Sequence, residues 1–324
     1  MNNFKKIGLT ALAGSLVATS VYAGEMSVAG SASWRISNHA GTEGGKTMAM
    51  GNQLTFTGSG EMDNGMNVAL SFILDQGDNT VDAEAATTAA GTGGPFDSHS
   101  ITISSDAMGS VVFAGEGASS AQNTIDTTAA GDIWDNTFTG YTAASNASAG
   151  TKTLTWTLPS MVDGLGVVTS YNGSSAGEEG TIGYALTYTG VEGLSVSYGV
   201  GDATTGVSTT EADATTMKAS YAYGSFTVAY SNNDYQSAVA SSDQETTSYK
   251  LSYTVSDAIS ISYGEDTIDL EGSTADAEYD KLSASYTSGG MTVTATQASA
   301  TDALHGTTTA EDQDYWSLGL SFAF

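Results

Sequence analysis

The amino-acid sequence predicts an all-β protein, a single 16-stranded antiparallel transmembrane β-barrel with short periplasmic turns and long extracellular loops. Three observations predict it. Apolar and small polar residues alternate with a period of two from Met26 to the last residue, Phe324. The connections between alternating segments are by turns short and long. Acidic residues are kept off the alternating apolar face. Period two is the strand signature, because successive side chains point to opposite faces of a sheet.

The strand segments follow in chain order. The first five are MSVAGSASWRIS, QLTFTG, MNVALSFIL, HSITIS and SVVFAG. KTLTWTL, LGVVTSY, TIGYALTY and LSVSYGV come next. The last seven are MKASYAY, FTVAYS, SYKLSYTV, ISISYG, KLSASY, MTVTAT and the terminal YWSLGLSFAF. Seven short connections carry turn formers, among them DNG, DAMG, VDG and SGG, and eight long polar connections lie between them. Sixteen antiparallel strands with both termini on one side need that number of each. Only 2 prolines interrupt 324 residues, which suits long ladders, since proline donates no ladder hydrogen bond.

The first 23 residues read as a cleaved secretory signal: Lys5 and Lys6, an apolar stretch from Ile7 to Ala18, and small residues before Gly24. Residues 24–324 then form one barrel domain. With no cysteine, the exported chain keeps its shape without disulfides.

Formal charge is 8 − 36 = −28. That excludes nucleic-acid binding through a basic patch. Disorder is excluded too, because a disordered acidic chain lacks aromatics and alternation. On the strand bounds above, 29 of the 36 acids fall in long loops, six in or beside short turns, and one, Glu25, at the start of the mature chain. One strand face is therefore apolar and the other small and polar, as expected of a barrel with lipid outside and water inside.

The last strand closes such a barrel by pairing with the first, so the chain can end on it. Trp316, Leu318, Leu320, Phe322 and Phe324 occupy every second position up to the terminus. With the leader, the strands and the alternating connections, this ending resembles that of general diffusion porins of Gram-negative bacteria, of the alphaproteobacterial type. The resemblance implies that the terminal strand is also the assembly signal read by the outer-membrane assembly machinery. It further implies a homotrimer of water-filled pores in outer-membrane lipid and lipopolysaccharide. Small hydrophilic solutes would pass passively, and the third long loop would fold into the lumen. That loop, 116–150, is the longest here, and its GDIWDNTFTG holds bulky residues suited to pinning it on the wall.

Candidate selectivity residues follow from strand parity. Arg35, Lys218, Lys250 and Lys281 alternate with apolar neighbours, so they point into the lumen. Glu116, Asp126, Asp132 and Asp135 belong to the third loop. In the family, bases on the wall oppose acids on this loop across a narrow gap, and the transverse field orients and screens solutes. Lys152 shares parity with Leu154 and Trp156 and is expected at the lipid rim. Tyrosine is absent from the mature chain before Tyr141, so the first five strands lack an aromatic girdle and are expected to face sister subunits.

No cofactor is expected. His39, His99 and His305 lack metal-ligand spacing; the acidic runs EDTIDLEG and AEDQD could hold Ca2+ or Mg2+, which prefer oxygen ligands, but solvated loop surface is the preferred reading. No nucleophile–base spacing points to an enzyme. The expected function is passive, cation-favouring diffusion. The alternative is a structural or adhesive barrel whose acidic loops bind partners or divalent cations.

Overall fold

The computed structural model describes residues 24–38, 45–75, 97–135, 138, 140–147, 152–173, 180–203, 212–306 and 312–324. The expected leader and His39 lie outside the described residues. Sixteen strands run in chain order: β1 (Glu25–Asn38), β2 (Lys46–Glu61), β3 (Asn67–Asp75), β4 (Ser98–Ser105), β5 (Gly109–Glu116), β6 (Thr153–Thr157), β7 (Leu165–Asn172) and β8 (Thr181–Tyr188). The second half comprises β9 (Leu194–Asp202), β10 (Asp213–Tyr223), β11 (Phe226–Gln236), β12 (Gln244–Ser256), β13 (Ile259–Leu270), β14 (Ala277–Ser288), β15 (Met291–Thr301) and β16 (Gln313–Ala323). Each pairs antiparallel with its sequence neighbours, and β1 pairs with β16 to close the barrel.

Closure is secured at both ends of the seam. Ser31 pairs with Ala323 and Ser37 with Ser317, and Gly30 and Phe324 exchange two backbone hydrogen bonds of 2.7 and 2.9 Å. At the other end the Asn38 side chain extends the ladder, accepting from Trp316 N and donating to Asp314 O. Trp316, Leu318, Leu320 and Phe322 all project from the outer face beside Ile36 and Trp34. Closure satisfies every edge, as hydrocarbon requires.

The parity expected from the sequence is realised. Tyr184, Tyr198, Tyr221, Tyr249, Tyr253, Tyr263 and Tyr286 stand exposed on the outer face, and the half-buried Tyr230 ring lies 5.1 Å from that of Tyr249 at a tilt of 46°. On β1 to β3 the outer face carries Met26, Val28, Met48, Met50 and Leu70 instead.

One expectation is overturned. The strands β9 to β14 are longer than their apolar alternation, and acids assigned to loops stand in them. Asp202 faces Asp213, Glu245 lies between Asp234 and Asp269, and Glu265 faces Asp280, all at outward parity. A tilted strand needs about 9–11 residues to cross hydrocarbon, whereas β12 has 13 and β13 and β14 have 12 each. The surplus carries the wall into headgroups and water, where outward carboxylates stay hydrated and hydrophobic alternation is no longer imposed.

Candidate functional site

Between β5 and β6 the chain leaves the wall and folds into the lumen. It makes a short 3-10 turn, Gln122–Thr124, and then runs across the inner face. From Ala121 to Ala147 it hydrogen-bonds to side chains of the wall on β7–β14. Ser170 Oγ accepts from Ala121 N at 2.7 Å, Ser248 Oγ from Ala130 N at 2.9 Å, and Asp266 Oδ2 from Ile133 N at 3.0 Å. Ser231 Oγ donates to Thr127 O. Gln122 Nε2 donates to Thr216 Oγ1, which donates to Asn233 Oδ1, whose amide donates to Ser145 O. Gln244 grips the returning arm, accepting from Ser145 N and donating to Ala143 O. Each such bond is worth about 0.5–1.5 kcal/mol, and an unmatched buried amide costs more. Wall and loop thus satisfy each other's polar groups.

Apolar packing joins them as well. Ile133, Trp134 and Phe138 are buried against Ile268, Tyr279, Tyr315, Ala298 and Ala300. The Trp134 and Phe138 rings lie 5.8 and 5.7 Å from that of Tyr279, whose hydroxyl bridges Thr142 O and Ala303 O. Close approach needs small wall residues. A Cβ on Gly264 would lie 2.6 Å from Ala130 Cβ, and one on Gly201 would lie 2.9 Å from Ala147 Cβ.

The tightest part of the loop is 128–133. Gly131 and Asp132 both have positive φ, 85° and 36°, and a non-glycine residue there stores strain. Thr128 Oγ1 braces the turn, bonding Asp132 N and Asp132 Oδ1 at 2.8 Å each. Asp132 is exposed to the lumen as a residue, but its carboxylate is partly shielded. Desolvation, followed by the neighbouring Asp126 and Asp135, holds its pKa above the ordinary 3.8 against the lowering influence of the Thr128 hydroxyl and Lys218.

The predicted site residues therefore divide. Lys218 Nζ sits 3.0 Å from Asp126 Oδ2 and donates to Thr128 O at 2.9 Å. Lys281 Nζ donates to Gly131 O at 3.2 Å. These two are in contact with the loop, not across a gap from it: their strands, β10 and β14, are strands on which the loop rests, and a four-carbon stem spans the remaining space. Lys250 shares that inner wall, on β12 between them, and makes no hydrogen bond or ion pair among the described residues. Arg35 lies apart on β1, paired in register with Ala49 and Gly319. Asp126, Asp132 and Asp135 are gathered in the docked turn. Glu116 stays at the end of β5 opposite His99, beside a bulge. Lys152, at the start of the β6 arm, is exposed with φ 64°.

Sequence reasoning missed Asp266, Asn233, Gln244 and Tyr279. Their signal was present: each is a large polar residue at an inward position where Ser, Thr, Gly or Ala is the rule. Among the described residues no group of three histidines or carboxylates converges as a metal site.

Comparison with known proteins agrees with this architecture. Among solved structures, an engineered variant of Rhodopseudomonas blastica porin superposes with a TM-score of 0.68 at 14% identity, covering 93% of this chain and all of the other. An anion-selective porin from Comamonas acidovorans gives 0.67 at 15%, with the same coverage. A search of curated protein sequences finds no match. The family described as Gram-negative porin matches residues 8–279, and with the closed 16-stranded barrel this places the chain in the Gram-negative porin family, channels of the outer membrane and not enzymes.

Proposed function

We propose that the chain is a general diffusion porin that favours cations and works as a homotrimer. The observation that carries this is the wall-docked third loop. Its contacts from Ala121 to Ala147 gather on β7–β16, so the inward Ser27, Ser31 and Ser33 of β1 remain exposed to line the open side. Small hydrophilic solutes and ions pass between that polar wall and the loop.

Charge supports cation preference. Lys218 is paired with Asp126 and Lys281 is bound to the loop backbone, so two of the four predicted wall bases contribute less to the field of the opening. The docked loop exposes Asp126, Asp132 and Asp135, and an opening lined by one sign of charge concentrates counter-ions. The anion selectivity stated for the Comamonas porin belongs to that protein.

The trimer reading rests on the tyrosine-free flank. Gly30 and Ala32 are small there, Trp34 pairs with Met50, and Asn52 projects outward opposite Ala32. An amide facing hydrocarbon is costly, whereas across a subunit interface it finds partners.

Refolded protein in a planar bilayer under a salt gradient tests both claims. The expected record has steps in groups of three and a reversal potential favouring cations. Anion preference would overturn the charge reading, and silence from inserted protein would overturn the porin reading.

A further inference from the structure

Asp266 is the one carboxylate among the described residues with no exposed surface. It stands at inward parity on β13, between Ser248 of β12 and Tyr279 of β14. One oxygen accepts from Ile133 N at 3.0 Å, and the hydroxyl of Ser248, its register partner on β12, lies beside the carboxylate. Burying an ionised carboxylate is expensive even when it is paired. As a wall residue it is a poor choice, for Ser or Gly serves at most inward positions.

Its place explains its presence. Ile133 is the first residue after the left-handed pair Gly131–Asp132, and it leads directly into the buried Trp134. The Ile133 N–H is therefore the point where the strained turn is converted into the docked segment. Ser248 holds Ala130 on one side of the pair, Lys281 holds Gly131 O, and Asp266 holds the first backbone amide of the far side. Lys281 on the adjacent strand supplies the compensating positive charge.

We propose that Asp266 is the positioning residue of the constriction: through the Ile133 N–H it fixes how far the turn 128–133 stands from the wall. This rests on the porin reading above and names the wall group that sets the aperture. Asp266 acts through the loop backbone and does not meet the permeating solute.

The comparison of D266N with D266L in single-channel recordings tests it. D266N keeps the shape and one acceptor oxygen while losing the charge, whereas D266L keeps the volume and loses the acceptor. D266N is expected to conduct as the wild type does. D266L is expected to show noisier open levels and a conductance changed by up to about twofold, as a displaced loop alters the narrowest section. Heat-modifiable mobility on gels verifies that each variant is folded. Should D266L not fold, D266S, whose short side chain leaves the Ile133 N–H out of reach, carries the same comparison.

Wild-type behaviour in a folded D266L or D266S overturns the proposal. So does a D266N channel as disturbed as D266L, since charge rather than the acceptor would then be at work. A wild-type protein that inserts without conducting instead overturns the porin reading, so the two failures are distinct.

Discussion

Lys218 and Asp126 were expected to oppose each other across water, and they touch. As a partly exposed pair they contribute about 0.2–1 kcal/mol, so their importance lies in position, with Lys218 also holding Thr128 O. Opposed charges across the opening would make K218M and D126N shift ion selectivity in opposite directions. A fastener makes both variants loosen the same loop, so both should raise open-channel noise. Recordings of the two single variants and the double variant decide this: noise in the double close to that of either single supports the clasp, and noise in neither single refutes it.

Asp132 makes a pH prediction at the same scale. Its pKa in the docked loop lies above the ordinary value, chiefly through desolvation. The docked state therefore binds more protons than the released one, and docking strengthens as pH falls from neutral toward the ordinary carboxylate value. Above the raised pKa the charged group weakens docking by a constant amount. Open-channel noise should fall over that acidic range and depend less on pH in D132N. Noise that grows on acidification of wild type but not of D132N would reverse the sign and refute the assignment.

At the scale of elements, the docked loop is a small core built inside a barrel. Trp134 is buried against Tyr279, and truncating a buried aromatic costs about 3–5 kcal/mol. W134A should leave the barrel folded, because the strand ladders do not depend on it, while exposing the loop to limited proteolysis. Cleavage as slow as in the wild type would show that the polar anchors suffice. The terminal strand illustrates a different dependence. Deleting Phe324 removes both hydrogen bonds to Gly30 and the ring packed over it. The yield of folded barrel on refolding should drop, and an unchanged yield would show that the seam above it is enough.

These elements also show how much was readable from sequence. All sixteen strands were legible, because lipid on one side and water on the other impose alternation that survives in the residues. Strand ends on β9–β14 were not. There the outer face meets water, and Asp234, Glu245 and Asp269 look like loop residues although they sit in a ladder. The inward loop was legible from its length and its Ile133, Trp134 and Phe138. Its anchors were not, since which of many inward serines meets a backbone amide is set by register across eight strands. Lys218 and Lys281 were recognised as inward by parity, but parity gives direction and not reach.

At the scale of the whole molecule, the barrel is asymmetric in function. The half from β7 to β14 carries the loop's anchors and the outer tyrosines, while β1 to β3 supply an open inner wall and a tyrosine-free outer flank. Asn52 on that flank provides a local test of assembly. N52L should leave the monomer fold intact and lower the temperature at which trimers separate on gels if the amide bonds across an interface; a higher temperature would instead mean that the residue meets lipid.

The central claim is that the loop docked on the wall is the working constriction and not a lid. The chain has no cysteine, so an engineered pair is unambiguous. Gly201 and Ala147 approach closely enough that A147C with G201C can bridge with small adjustment. Single-channel conductance of this variant, recorded oxidised and then reduced in the same bilayer, is the most direct measurement. The docked-loop account predicts equal conductance in the two states. A channel that closes on oxidation and reopens on reduction would contradict it, because the loop would then have to leave the wall to conduct.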